Sequence, residues 1–239
     1  ACDKHGMLIM EETRLPGCAE DLMRDVGDTI RRDRNHPCVI IWSLANEEPI
    51  MTTAVGARIF KRLHKLVHDM DPTRPTTCAV VGDWFKAAEL FEEHGFRLDL
   101  FGMNYGHDRG GERFDRFHKT YPNWPYLQTE SWGGFTTRGL YESPGVEVLQ
   151  QFAEREMTWE SEAYRGYASA YGTASCGYGC HLEECWRQCA SRPHHAGTFI
   201  WTGFDYRGET APHGCPAVIS HFGILDLCGY YKELAHYLR

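Results

Sequence analysis

The sequence predicts an α/β fold on a parallel sheet, and three observations carry that expectation. Six short apolar runs, at 7–10, 39–44, 76–81, 98–105, 126–129 and 198–204, recur along the chain and lead into helical patterns. The runs are nearly continuous in apolar character rather than alternating, as strands covered on both faces are. The 239 residues are 42% hydrophobic, enough for one sizeable core. Such a sheet is either covered by helices on both faces or closed into a barrel.

Each element has its own signal. The second run, "VIIWSL", is followed by the clearest helix, in which Ile59, Leu63, Leu66, Val67 and Met70 share one face and Asp71-Pro72 supplies the stop. Further helices are expected over 20–32, 84–94, 113–121 and 182–191, with a longer, less regular excursion over 142–179 before the last strand. No internal repeat or low-complexity linker separates a second domain, so 1–239 reads as one domain.

Composition narrows the function. Lys and Arg number 25 against 33 Asp and Glu, a formal charge of −8, and no basic run could track a phosphate backbone, so nucleic acid is not an expected partner. No apolar stretch approaches membrane-spanning length and no leader precedes the first run, which predicts a soluble chain, cytoplasmic or periplasmic. Several of the ten cysteines, Cys38, Cys78 and Cys228 among them, sit within apolar runs, as buried thiols do. Cys176, Cys180, Cys185 and Cys189 have helical intervals rather than the paired spacing of a zinc site. Aromatics at 13% supply rings of the kind that line small-molecule pockets.

Several runs end in polar or aromatic groups: Glu11-Glu12, Asn46-Glu47-Glu48, Asn104-Tyr105, Glu130 and Asp205-Tyr206. In a barrel these ends meet at one mouth, where catalytic groups are carried. A lone strand-end Glu is more often a salt-bridged surface residue, a lone Asn a turn residue and a lone Trp a core residue. Together, two carboxylates with Asn46, Tyr105 and Trp201 make the inventory of a sugar site: acid and base, hydroxyl partners and a ring platform. Carboxylates roughly 5–5.5 Å apart fit retaining glycoside hydrolysis, and about 6.5–9.5 Å the inverting route. His221, after the last run, is a further candidate, while His194-His195 precedes that run and is expected away from the chemistry.

The stretch "DRNHPCVIIWSLANE" at 33–47 resembles the acid/base signature of glycoside hydrolase family 2 through Asn35, His36, Pro37, Trp42, Ser43, Asn46 and Glu47. "GTFIWTGFDYRGE" at 197–209 and "SHFGILDLCGYYKE" at 220–233 resemble the last barrel strand and following segment of the family's β-galactosidases. The resemblance implies a (β/α)8 TIM barrel of which about six βα units, corresponding to strands 3 to 8, are present, starting at the end of a helix. It implies Glu47 as general acid/base and Glu130, in "PYLQTES", as nucleophile. Asn46 would bond the 2-hydroxyl, Tyr105 in "GMNYG" would orient the nucleophile beside Asn104, and Trp201 would lie under the sugar ring. Glu48 reads as structural.

Relatives that cleave glucuronides commonly carry Asn-x-Lys after the last strand; here "ILDLCGYYKE" follows the galactosidase pattern, which favours a terminal β-D-galactoside or related oligosaccharide. The alternatives are another family 2 β-glycosidase, such as a β-glucuronidase or β-mannosidase, or an inactive carbohydrate-binding remnant, because two strands and the preceding β-sandwich domains are absent. Those N-terminal domains of the same gene product, and further copies of the chain, are the expected protein partners. Some relatives hold magnesium through Glu and His just beyond the first strand seen here; "TRLPG" at 13–17 contains neither, so no metal or other cofactor is expected.

Overall fold

The computed structural model describes residues 1–141, 147–149 and 166–238. Most of the excursion expected over 142–179 therefore lies outside the described residues. In chain order the elements are α1 (Cys2–His5), β1 (Ile9–Glu12), α2 (Glu20–Asp33), β2 (Val39–Asn46), α3 (Ala54–Met70), β3 (Thr76–Val80), α4 (Trp84–Glu93), β4 (Phe101–Asn104), α5 (Glu112–Thr120), β5 (Tyr126–Trp132), β6 (Gly134–Phe135), β7 (Glu147–Leu149), β8 (Ala174–Cys176), α6 (Leu182–Ala190), β9 (His195–Trp201) and α7 (Glu233–Tyr237). All six apolar runs are strands, hydrogen-bonded in the order β1-β2-β3-β4-β5-β9. The β1–β2, β2–β3 and β3–β4 pairs are parallel, as the intervening helices require.

The described residues form two compact units. The first comprises Ala1–Asn104, Arg116–Thr129 and His194–Ala196. Its strands are apolar because both faces are covered: Ile41, Trp42, Leu44, Ala45, Cys78, Ala79 and Val80 are all buried. Gly102 of β4 has no side chain for a packing reason, since a Cβ there would lie 2.2 Å from the Cys78 carbonyl oxygen. On α3 the buried stripe is Ala57, Phe60, Leu63 and Val67. Ile59, Leu66 and Met70 of the expected face are only half-buried, so the stripe is rotated toward the bulky Phe60. Thr53 caps this helix by accepting from the Gly56 N–H at 3.0 Å. Phe101, Phe117, Trp124 and Tyr126 pack as an aromatic cluster, with the Phe101 and Phe117 ring centroids 4.7 Å apart. His194 stacks on His118 at 3.8 Å, and His195, at the start of β9, meets Tyr126 at the start of β5.

Asp71, which ends α3, is a buried charge with several partners. It accepts from Trp42 Nε1 (3.0 Å), Arg74 Nη1 (2.7 Å) and the Thr73 N–H (3.0 Å). Burial pushes its carboxyl up, but the bonds from Thr73, Arg74 and Trp42 outweigh it and hold the group at about 2.

The second unit comprises Tyr105–Asp115, Glu130–Pro193 and Gly197–Arg239. It contains a small sheet, order β6-β8-β7, that no apolar run announces. Its organising contact is Lys232, which is fully buried and donates to Asp205 Oδ1 (2.7 Å), the Thr136 carbonyl (2.6 Å) and the His221 carbonyl (3.1 Å). Burial pulls the lysine below its ordinary value while Asp205 holds it up, and burial raises Asp205 against the opposing lysine. Asp205, expected at a strand tip, thus serves as the lysine's counter-charge. Boundaries also move: β1 spans 9–12 rather than 7–10, β4 spans 101–104 rather than 98–105, β5 runs on to Trp132, and β9 spans 195–201 rather than 198–204.

Two stability outcomes follow. Lys232→Met strands Asp205 in the interior and costs about 3–5 kcal/mol, whereas replacing both partners with apolar residues recovers most of the loss; urea denaturation measures each. Asp71 has a depressed folded-state pKa, so its contribution of about 2 kcal/mol is complete above its unfolded value near 4 and is lost as pH falls toward 2. Denaturation midpoints measured from pH 6 to 2 should therefore fall more steeply in the wild type than in Asp71→Asn.

Candidate active site

In the first unit, β2 is not regularly paired to its end. Its register to β3 runs Trp42 to Thr76 and Ser43 to Thr77, but Asn46 then meets Ala79, which inserts one extra residue into β2. Such a bulge re-aims the side chains beyond it. Glu47 follows with φ of 53°, a left-handed conformation that costs a non-glycine residue energy, while its N–H still donates to the Ala79 carbonyl at 2.9 Å.

Asn104, buried at the end of β4, gathers the polar groups. Its Nδ2 donates to Glu47 Oε1 (2.7 Å) and Asn46 Oδ1 (3.0 Å), and its Oδ1 accepts from Thr129 Oγ1 (2.5 Å). The Glu47 and Asn46 oxygens, as acceptors, determine which way the amide faces. Arg14 ties the same strand end from outside, donating to the Asn46 carbonyl at 3.0 Å and pairing with Glu48. Glu48 is thus engaged by Arg14. Glu12, at the end of β1, accepts from Ser43 Oγ at 2.7 Å. Burial raises its pKa, and the nearby Glu47 charge adds to the effect.

In the second unit, Tyr105 follows β4 with φ of 58° and donates its hydroxyl to Glu130 Oε2 at 2.9 Å. The Tyr105 N–H also donates to the Glu130 carbonyl at 2.7 Å, and its ring lies 4.5 Å from that of Tyr178. Glu130 sits inside β5. That strand ends at Trp132, with φ of 81° and an N–H that donates to His107 Nε2 at 3.2 Å. With Nε2 accepting, His107 Nδ1 carries the proton toward Gln188 Oε1 at 3.2 Å. Gly134 leaves room for the Trp132 indole, whose Nε1 would be 2.1 Å from a Cβ there.

Trp201 is the last residue of β9 and 36% exposed, with the Tyr206 ring edge-on to it at 5.9 Å. His221 is bonded through Nδ1 to Thr137 Oγ1 at 2.8 Å, and burial together with the Lys232 charge lowers it to about 4. Asn46, Glu47 and Asn104 are therefore joined in one unit, and Tyr105 and Glu130 in the other. Thr129, Arg14, His107 and Tyr178 are not singled out by the sequence, whereas Glu12 is named there as a strand-end acid.

All ten cysteines are free thiols, and among the described residues Cys176, Cys180, Cys185 and Cys189 do not converge as a ligand set. No helix among the described residues is long and apolar enough to cross a membrane.

The profile "Glycosyl hydrolases family 2, TIM barrel domain" matches residues 1–131. "Beta-galactosidase BoGH2A" of Bacteroides ovatus is 29% identical over an alignment covering 98% of this chain and 31% of that protein. A "putative beta-glucuronidase" of Formosa agariphila is 27% identical over all of this chain and 24% of its own length. The chain thus spans less than a third of either relative. Among solved structures, a β-glucuronidase from Ruminococcus gnavus in complex with D-glucuronic acid superposes with a TM-score of 0.70, at 24% identity, covering 99% of this chain and 39% of that one. A β-galacturonidase from Eisenbergiella tayi bound to galacturonate gives a TM-score of 0.67 at 21% identity, covering 98% and 40%. The six strands and their helices are accordingly part of a TIM barrel.

Removing the side chain that three partners share has a measurable cost. Asn104→Ala should destabilise the protein by about 1–3 kcal/mol in urea denaturation, because Thr129 and Asn46 each lose a buried partner.

Proposed function

Because the chain belongs to glycosyl hydrolase family 2, we propose that it carries the catalytic pair of a retaining β-glycosidase, with Glu130 as nucleophile and Glu47 as general acid/base. The Glu130 carboxylate attacks the anomeric carbon, the bond to the leaving oxygen breaks, and Glu47 gives that oxygen its proton. Water then attacks the glycosyl ester while Glu47 takes a proton from it, freeing the sugar and restoring both carboxyl groups.

The observation that carries this reading is that both carboxylates receive a hydrogen bond from an uncharged side chain. Asn104 donates to Glu47 and Tyr105 to Glu130, which fixes orientation while leaving each acid its own chemistry. Asn46, its Oδ1 already accepting from Asn104, would offer its amide donors to the 2-hydroxyl. Trp201 would supply the apolar face beneath the ring. His221, with Nδ1 bonded to Thr137, would reach a sugar only through its other nitrogen.

For the sugar we propose a neutral terminal β-D-galactoside. Lys232, the lysine that follows the last strand, is bonded to Asp205 and two carbonyls in the interior, so its ammonium is not offered to a sugar carboxylate. A glucuronide is the second reading, motivated by the names of several relatives.

The complete protein should hydrolyse a nitrophenyl β-galactoside in preference to the glucuronide, and Glu130→Gln should abolish turnover. Glu47→Ala should slow substrates with poor leaving groups by orders of magnitude more than a nitrophenyl glycoside, whose departure needs little proton assistance. Turnover retained in Glu130→Gln would remove it from the mechanism, and binding without turnover in the wild type would favour a carbohydrate-binding role.

A further inference from the structure

Away from the strand tips, three potential metal donors converge in the first unit. His64 and His68 lie one helical turn apart on α3 with ring centroids 4.6 Å apart, and Asp99 precedes β4. One ligand atom from each lies within 4.8 Å of the other two. The hydrogen bonds prepare these donors for a cation. Thr76 Oγ1 donates to Asp99 Oδ2 at 2.8 Å, so at 2.7 Å from His64 Nδ1 it accepts that nitrogen's proton. His64 is thereby held as the tautomer whose Nε2 keeps its lone pair, an arrangement common behind metal-bound imidazoles. Asp99 is oriented by the Thr76 N–H at 2.8 Å and takes the His68 Nε2 proton at 2.8 Å. Tetrahedral zinc with bonds near 2.0–2.1 Å separates its ligands by roughly 3.3 Å, so the wider separations, at most 4.8 Å, close by up to about 1.5 Å and the His68–Asp99 pair opens by about half an ångström. Both are partly exposed, at 31% and 38%, which leaves room for that movement and for water as the fourth ligand.

We propose that His64, His68 and Asp99 bind a divalent cation of the zinc class, with Thr76 positioning two of the three ligands. Two imidazoles and one carboxylate suit zinc or cobalt rather than the all-oxygen preferences of magnesium and calcium. On binding at His68 Nε2, the cation displaces the proton now directed at Asp99, and the neutral imidazole carries its proton on Nδ1 instead. Nearby ammonium groups are engaged elsewhere, Lys65 with Asp69 at 2.6 Å and Lys61 with the His94 carbonyl at 2.8 Å. The site is structural: Thr76 opens β3 and Asp99 precedes β4, while the tip of β4 that bears Asn104 lies at the other end of the strand. A bound ion ties α3 to the starts of two strands and stabilises the folded state by mass action.

Cobalt titration of the intact protein, followed by absorbance and by thermal melting with Zn²⁺, tests this. One equivalent of cobalt should bind with a nitrogen- and oxygen-ligand spectrum that lacks a thiolate charge-transfer band, and Zn²⁺ should raise the Tm. His68→Ala should abolish both effects, and Thr76→Val should weaken binding roughly 10–100-fold. A thiolate band, binding unchanged in His68→Ala, or no binding at micromolar metal would each overturn the proposal. The wild-type spectrum decides between nitrogen and sulfur ligands even if a variant fails to fold.

Discussion

A polar group carried to the end of a buried strand must find a partner there, and at the end of β4 one amide meets that requirement for its neighbours. Asn104 has two N–H donors and one carbonyl, and it uses all three, on Asn46, Glu47 and Thr129. Because Glu47 and Asn46 both offer it oxygen acceptors, the amide cannot rotate by half a turn without presenting a carbonyl to them. A neutral donor orients a carboxylate without adding the charge that a guanidinium partner would bring. The outlying ion pair of Arg14 with Glu48 holds the same strand end while leaving Glu47 to Asn104.

Much of the architecture was legible because it rests on local pattern. Continuous apolar runs signal strands covered on both faces, and all six are strands of one sheet. Asp71-Pro72 ends α3 as expected, since proline cannot continue the helix. What stayed hidden depends on tertiary partners. The extra residue in β2 changes no composition, yet it alters which way Asn46 and Glu47 face. Phe60 outranks Ile59 on α3 because packing volume, not periodicity, decides which flank is covered. The β6-β8-β7 sheet is made of two- and three-residue strands, too short to show alternation. Glu47 and Glu130 were legible only as strand-end acids within long motifs; their donors, Asn104 and Tyr105, lie 57 and 25 residues away along the chain.

The second unit obtains its order differently. A buried lysine satisfied by one carboxylate and two carbonyls ties Asp205, Thr136 and His221 to the C-terminal segment. Such pairs contribute little net stability over apolar replacements, but they penalise every arrangement in which one partner is stranded. A fold shared among enzymes with different sugars leaves the choice of sugar to individual side chains.

The left-handed backbones at Glu47 and Tyr105 change how mutational data on these positions should be interpreted. Glycine, a common choice for deleting a carboxylate, would also relax a contorted main chain, so the gain in folding would mask part of the chemical loss. A β-branched replacement would err in the opposite direction by worsening the contortion. Side chains of matched backbone tolerance, such as asparagine or glutamine, separate the two effects and leave the chemistry as the dominant variable.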